Sequence, residues 1–476
     1  MSGWSGRRVG GESGSRVFFR VQWEGGLPDL RTPMFFPDRY LREIRPTLTL
    51  AAPIVVGQVS QMLMGVTDSA MIGHAGTVPL AASAFAGNVF NLFFVTGIGL
   101  MLPVAILVAR SRGAQRPAEV AEYLRHGVAL AVVLGILEVG LMFLVGPQLV
   151  RLGQPPEVLA AVGPFYALLA LSLPAVLVYL ALRQFAEAMG HPWAPMFIML
   201  GGVGLNALLN WVFIFGHAGM PPLGLTGAGI STLLSRVLGV GVIFLWLRRD
   251  ARLRAAWPKY WLGGYSMIRF KEMLGVGLPA AGMLLFETTA FAFSGIMMGW
   301  LGTVPLAAHQ IAISCASLAF MFPLGISMAA GMRVSHAGGA GERARARPIT
   351  FGALGAGLAL TAAFAVFFGL GGEMIAGWFA PDKAVVLLAG QLLLVAALFQ
   401  LVDGVQVIAA AALRAVADVV VPAVVTLIAY WGVALPLGYW LGIRGPWGAI
   451  GLWVGIAGGL AVSAGLLTSR FYRLTR

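Results

Sequence analysis

Long apolar runs, separated by short stretches rich in Gly, Pro and Arg, recur twelve times between residue 47 and the end of the chain. Each is about 20 residues or longer, and at a rise of about 1.5 Å per residue that length crosses a hydrocarbon layer roughly 30 Å thick as a helix. The expected spans lie at roughly 47–72, 80–108, 126–146, 158–182, 193–215, 227–247, 273–300, 305–332, 349–370, 384–412, 419–441 and 446–469. The short alternating segments of a membrane barrel are absent. The expected fold class is therefore all-α, a polytopic membrane protein with twelve transmembrane helices.

The runs are organised as a duplication. GTVPLAA at Gly76 to Ala82 recurs unchanged at Gly302 to Ala308, a shift of 226 residues. At that shift Pro53 pairs with Pro279, Met71 and Gly73 with Met297 and Gly299, Phe94 with Phe320, Gly99 with Gly325, and Gly113-Ala114 with Gly339-Ala340. Further on, Ala181-Leu182-Arg183 pairs with Ala412-Leu413-Arg414 at a shift of 231, and Glu187 then falls on Asp418. Six spans return the chain to its starting side, so the two copies share an orientation and are related by an axis along the membrane normal. The expected division is a tail at 1–45, an N-lobe at 46–247, a basic inter-lobe loop at 248–271 and a C-lobe at 272–476, which includes a short basic tail. Two similar lobes with a cleft between them suit alternating access, although a duplication alone also builds a larger static bundle.

Composition sharpens this picture. Hydrophobic residues make up 59% of the 476 and charged residues only 11%, which excludes a soluble domain of this size. The net charge of +13 would suit a nucleic-acid partner, but its placement argues for topology. Basic residues gather in the N-terminal segment, after spans two, six and eight, and at the tail, whereas the opposite loops carry only Arg151, Lys383 and Arg444. By the positive-inside rule both termini are expected in the cytoplasm. The first 45 residues contain no signal-peptide core, and Met34 to Arg45 reads either as an amphipathic lead-in on the membrane surface or as plain disorder. The single cysteine, Cys315, lies inside a span, so neither a disulfide framework nor a cysteine metal site is expected.

Charges inside a membrane are expensive and mark ion or substrate pathways. Four carboxylates fall within spans: Asp68, Glu138, Glu287 and Asp403. Asp68 ends a stripe with Gln58, Gln61 and Gly65, so this face looks into a lobe or cleft unless the carboxylate simply meets external water at the helix end. Glu287 and Asp403 are mid-span, the latter between Gln400 and Gln406. The repeat places Glu287 on Gln61, Asp68 on Ser294 and Asp403 on Ser172, so the acidic positions are not duplicated and the lobes divide the ion binding. Glu138 has no polar stripe around it and reads as structural or lipid-exposed. Phenylalanines and methionines, Phe286 and Met298 among them, crowd the first two helices of each copy and suit flat cations, or else ordinary packing.

With these residues in hand, the chain resembles the multidrug and toxic compound extrusion (MATE) family, NorM type, from about residue 46 to 472. The resemblance is carried by VTDSAMIG around Asp68, FETTAF around Glu287, AAHQIA followed by Phe320-Met321-Phe322-Pro323, GMRVSHAGGAG at 331–341 and LVDGVQVIAAAALRAVAD at 401–418. It implies export of amphipathic, often cationic drugs driven by inward protons or sodium, in the bacterial inner membrane. It further implies that Glu287 and Asp403 hold the coupling ion, serving as metal ligands if that ion is sodium, while Asp68 is a protonatable or cation-sensing carboxylate. Asp68, Gln310, Gln61, Phe286 and Met298 are the expected substrate contacts. One departure favours protons over sodium: sodium-coupled relatives often carry a tyrosine four residues before the helix-ten aspartate, where this chain has Phe399 and no oxygen to offer.

No cofactor, nucleic-acid partner or enzyme activity is expected, since the six histidines are scattered and no HExxH pattern occurs. The expected assembly is a monomer in lipid. The nearest rival, a lipid or glycan flippase, wants a strongly basic cavity, and Arg236 is the one clear arginine inside a span.

Overall fold

The computed structural model describes residues 38–152 and 155–476. Twelve helices in it are long and apolar enough to cross a membrane. They are α1 (Asp38–Ala75), α2 (Thr77–Gly113), α3 (Pro117–Val145), α4 (Pro156–Ala188), α5 (Trp193–Phe215), α6 (Gly224–Arg249), α7 (Met267–Leu301), α8 (Thr303–Gly339), α9 (Ala346–Gly377), α10 (Lys383–Ala415), α11 (Val420–Arg444) and α12 (Gly448–Leu474). The all-helical expectation and the number of spans hold.

The repeated GTVPLAA motif has a backbone cause. Gly76 and Gly302 sit at φ of 137° and 122° in the abrupt turns from α1 to α2 and from α7 to α8, a conformation that side chains resist. Two spans are irregular. α4 breaks at Ser172, just before Pro174, which has no N–H to continue the ladder. α11 widens into π-helix at Ile428–Ala434 and again at Tyr439–Arg444.

α1 starts earlier than the pattern suggested. Its 38 residues, about 57 Å at the usual rise, exceed the hydrocarbon thickness, so its first turns project from the membrane. Residues 38–45 are thus helix continuous with the first span rather than a separate surface segment or a disordered one. Residues 1–37 of the expected tail lie outside the described residues.

The helices of the first copy meet those of the second along one seam, where α1 and α2 pack against α7, α8 and α9. A single apolar core crosses that seam, joining Leu124 and Phe185 to Ala281, Ile326 and Met332. Close approach is enforced by glycine: a Cβ on Gly113 would collide with the His336 carbonyl oxygen, and one on Gly339 with that of Arg110. Gly113 and Gly339 are repeat mates, as are Arg110 and His336, so the two contacts are pseudo-symmetric.

Charged groups reinforce the seam on the face that carries most of the basic loops, called here the basic face. Arg333 of α8 pairs with Glu43 of α1 and reaches the Glu43 carbonyl at 2.8 Å, while Arg345 meets the same carboxylate at 3.0 Å. Also from the second copy, Arg269 of α7 donates to the Tyr123 hydroxyl of α3 at 2.5 Å, and that hydroxyl donates to Glu272 at 2.8 Å. Arg269 also lies 3.9 Å from Glu119.

Candidate ion and substrate site

In the C-lobe the two mid-span carboxylates converge from different helices. Glu287 on α7 is half-buried, Asp403 on α10 is buried, and each lies within electrostatic reach of the other. One Asp403 oxygen, Oδ1, has no hydrogen-bond partner among the described residues. The Tyr430 hydroxyl, buried on the π-helical part of α11, sits beside Glu287 and donates to Gln406 Oε1 at 3.1 Å. Gln400 donates to the Ala316 carbonyl at 2.7 Å and leaves its own Oε1 unpaired. The site thus gathers two carboxylates and a phenol from three helices. Such hard oxygen donors suit a proton or a small hard cation.

Phe399 adds no oxygen to this set. Its ring is buried in the C-lobe core against Trp453, with centroids 5.5 Å apart. The phenol beside Glu287 comes instead from Tyr430, on another helix. Sequence spacing hid this, because Tyr430 faces inward on an irregular turn far along the chain.

In the N-lobe, Asp68 is anchored rather than free in water. Asn210 Nδ2 donates to its Oδ1 at 2.6 Å and lies 3.3 Å from the Asn206 amide oxygen. Two asparagines one turn apart on an otherwise apolar helix were a legible signal that the sequence reading passed over. Arg236 lies within electrostatic reach of Asp68, donates to Ser172 Oγ at 2.5 Å and covers the face of Phe90. Beside it, a cavity of about 100 Å³ is lined by Gln61, Phe94, Tyr179, Arg183 and Arg236. Arg236 is therefore not the sole arginine within the spans: Arg183 shares its cavity, and Arg414 lies near the C-lobe carboxylates.

The other candidates separate. Gln61 lines the N-lobe cavity, and Phe286 is half-buried one residue before Glu287, its carbonyl accepting from Trp431 Nε1 at 3.2 Å. Gln310 is exposed on α8. Met298 is corrected: it is wholly buried in the C-lobe core and offers no surface to a ligand. Of the two readings of Glu138 the structure leaves the structural one, since the residue is buried rather than lipid-exposed, with neither carboxylate oxygen paired among the described residues.

A family model described as MatE matches residues 53–212 and 279–440, once in each copy. The chain belongs to the MATE family of transporters. It is 36% identical over 449 residues to "Multidrug resistance protein NorM" of Burkholderia vietnamiensis, covering 92% of this chain and 96% of that protein. It is 33% identical over 447 residues to "Probable multidrug resistance protein NorM" of Rhizobium meliloti, covering 91% of this chain and 94% of that one. The crystal structure of the eukaryotic MATE transporter AtDTX14 superposes with a TM-score of 0.82 at 23% identity, covering 92% of this chain and 99% of that one. That likeness establishes the MATE fold, and family membership makes the chain a multi-pass membrane transporter rather than an enzyme.

Proposed function

We propose that this MATE chain exports amphipathic, often cationic small molecules across a bacterial inner membrane by alternating access, in exchange for protons bound at Glu287 and Asp403. The observation that carries this reading is the convergence of two intramembrane carboxylates on the Tyr430 hydroxyl within one of two repeat-related lobes. Relatives bearing the name multidrug resistance protein support the substrate class. The basic face is the cytoplasmic one by the positive-inside rule, which puts both chain ends in the cytoplasm.

Protons are favoured over sodium by ligand count: a carboxyl takes up a proton with no other ligand, whereas a desolvated sodium ion needs several oxygens, and Phe399 supplies none beside Asp403. Asp68, with Asn210 and the cavity beyond it, serves as the N-lobe contact for cationic substrates. A flippase reading gains from Arg183 and Arg236 sharing that cavity. Each is charge-matched, however, Arg183 by Glu187 at 2.6 Å and Arg236 by the nearby Asp68, which leaves little net positive charge for a phosphate headgroup.

The test is ethidium efflux from proteoliposomes under separately imposed proton and sodium gradients at clamped voltage. Export driven by protons in sodium-free buffer is expected. Export driven only by sodium would replace the ion, and none under either gradient would overturn the exchanger.

A further inference from the structure

The repeat carries an arginine and an acid four residues apart in both lobes: Arg183 with Glu187 on α4, and Arg414 near the end of α10 with Asp418 in the turn after it. In the N-lobe the pair is intact, with Arg183 Nε donating to Glu187 Oε1 at 2.6 Å and both side chains buried. In the C-lobe it is divorced. Arg470, from α12, takes both oxygens of Asp418. Arg414 turns instead to α7, where its Nη1 lies 4.0 Å from Met283 Sδ, one turn before Glu287. The repeat mate of Glu287 is Gln61, which is uncharged and lines a cavity with Arg183. One arginine has therefore kept its structural partner, while the other approaches the lobe in which the position of Gln61 is an acid, Glu287.

We propose that Arg414 is the fixed counter-cation of Glu287 and thereby sets the exchange stoichiometry at one cation per cycle. This rests on the exchanger reading above. Glu287 and Asp403 carry two negative charges when ionised, and Arg414 cancels one. The pocket then has one charge to offer a mobile cation, even though two carboxylates are present. Arg414 acts through Glu287 and is a positioning residue; it touches neither substrate nor the exchanged ion.

The experiment measures the ethidium gradient at which net flux stops in proteoliposomes held at zero voltage, using whichever cation gradient drives the unaltered protein. A one-for-one exchange stops at about a tenfold ethidium gradient per tenfold cation gradient, and a two-for-one exchange at about a hundredfold. The unaltered protein and Arg414→Lys are expected at the first value and Arg414→Gln at the second. Should Arg414→Gln not reach the membrane, the double variant Glu287→Gln with Arg414→Gln removes both charges and restores one exchangeable carboxylate. It is expected to recover coupled export that Glu287→Gln alone has lost. A tenfold value in Arg414→Gln, or a double variant as inactive as Glu287→Gln, would overturn the assignment while leaving the exchanger in place. Absence of cation-driven flux in the unaltered protein would overturn both.

Discussion

Glu43 and Arg269 occupy equivalent positions in the two copies, 226 residues apart, and carry opposite charges to partners that are themselves equivalent and opposite. Glu43 meets Arg345 at 3.0 Å, and Arg269 faces Glu119 at 3.9 Å. Arg345 and Glu119 are also 226 residues apart. The seam is thus clamped twice by the same geometry with its signs exchanged, and the two clamps cannot trade partners.

Opening the basic face must break these clamps. Glu43 carries more of the charge pairing across the seam, since both its arginine partners, Arg333 and Arg345, come from the other copy, whereas Glu119 has only Arg269 from there. Glu43→Gln should weaken closure by about 1–2 kcal/mol, a roughly five- to thirtyfold change in the ratio of closed to open forms. Spin labels on the exposed repeat mates Ala118 and Ala344, in a Cys315→Ala background, read this directly as a larger long-distance population. An unchanged distance distribution would show that the clamp does not control closure.

Removing either ion-binding carboxylate should stop export without unfolding the protein. Glu287→Gln and Asp403→Asn keep the shape and delete the charge, so each should reduce ethidium export to background while the protein still elutes as a single species in detergent. Asp68→Asn should impair cationic substrates more than neutral ones if Asp68 is the N-lobe contact proposed above, because the change removes the negative charge and keeps the side chain's shape beside Asn210. Equal losses for both substrate classes would move Asp68 to the coupling side, and full export by both C-lobe variants would remove the ion site from these residues.

Tyr430 and Phe399 make opposite predictions. Tyr430→Phe deletes the hydroxyl shared between Gln406 and Glu287, costing about 1 kcal/mol for the lost hydrogen bond. Export at limiting cation gradient should fall several-fold. Phe399→Tyr instead pushes a hydroxyl into the apolar packing against Trp453, a penalty of about 1–3 kcal/mol if it stays unpaired. It should lower the melting temperature without creating sodium dependence. Sodium-stimulated export by Phe399→Tyr would contradict this.

Glu138 predicts a gain. Its carboxyl is buried beside Gly97, with neither oxygen hydrogen-bonded among the described residues, and burying a polar group unpaired costs about 1–3 kcal/mol. Glu138→Leu, close in volume, should therefore raise the melting temperature in detergent and preserve export. Lost export in a stabilised variant would show that the carboxyl works in transport.

Much of this architecture is legible in the amino-acid sequence, because lipid imposes a simple rule on helix length and because GTVPLAA repeats without change. Asp68, Glu287 and Asp403 stand out for the same reason: a carboxylate in an apolar run has few ordinary explanations. Tyr430 does not stand out, since aromatic residues are common in membrane helices and a regular helix would not predict its inward turn. The altered partnership of Arg414 was hidden as well. Its repeat alignment with Arg183 suggests an identical pairing with Asp418, but α10 ends before Asp418, Ala417 turns the chain at φ 65°, and Arg470 from α12 takes the carboxylate. Met298 failed for the opposite reason, because adaptable side chains fill cores as readily as they line cavities.

The widened turn of α11 makes the register of that helix a functional quantity. A regular helix advances about 100° per residue, so deleting Ala429 would swing the side chains that follow it within the wide turn by about that angle, while closure of the turn keeps the helix beyond it near its register. Helix length and apolar character would barely change, and a lipid bilayer would accept the shortened segment as readily as the original. The phenol, however, would no longer point at Glu287. In this span a one-residue indel, normally tolerated only in loops, acts as a point mutation of the ion pocket.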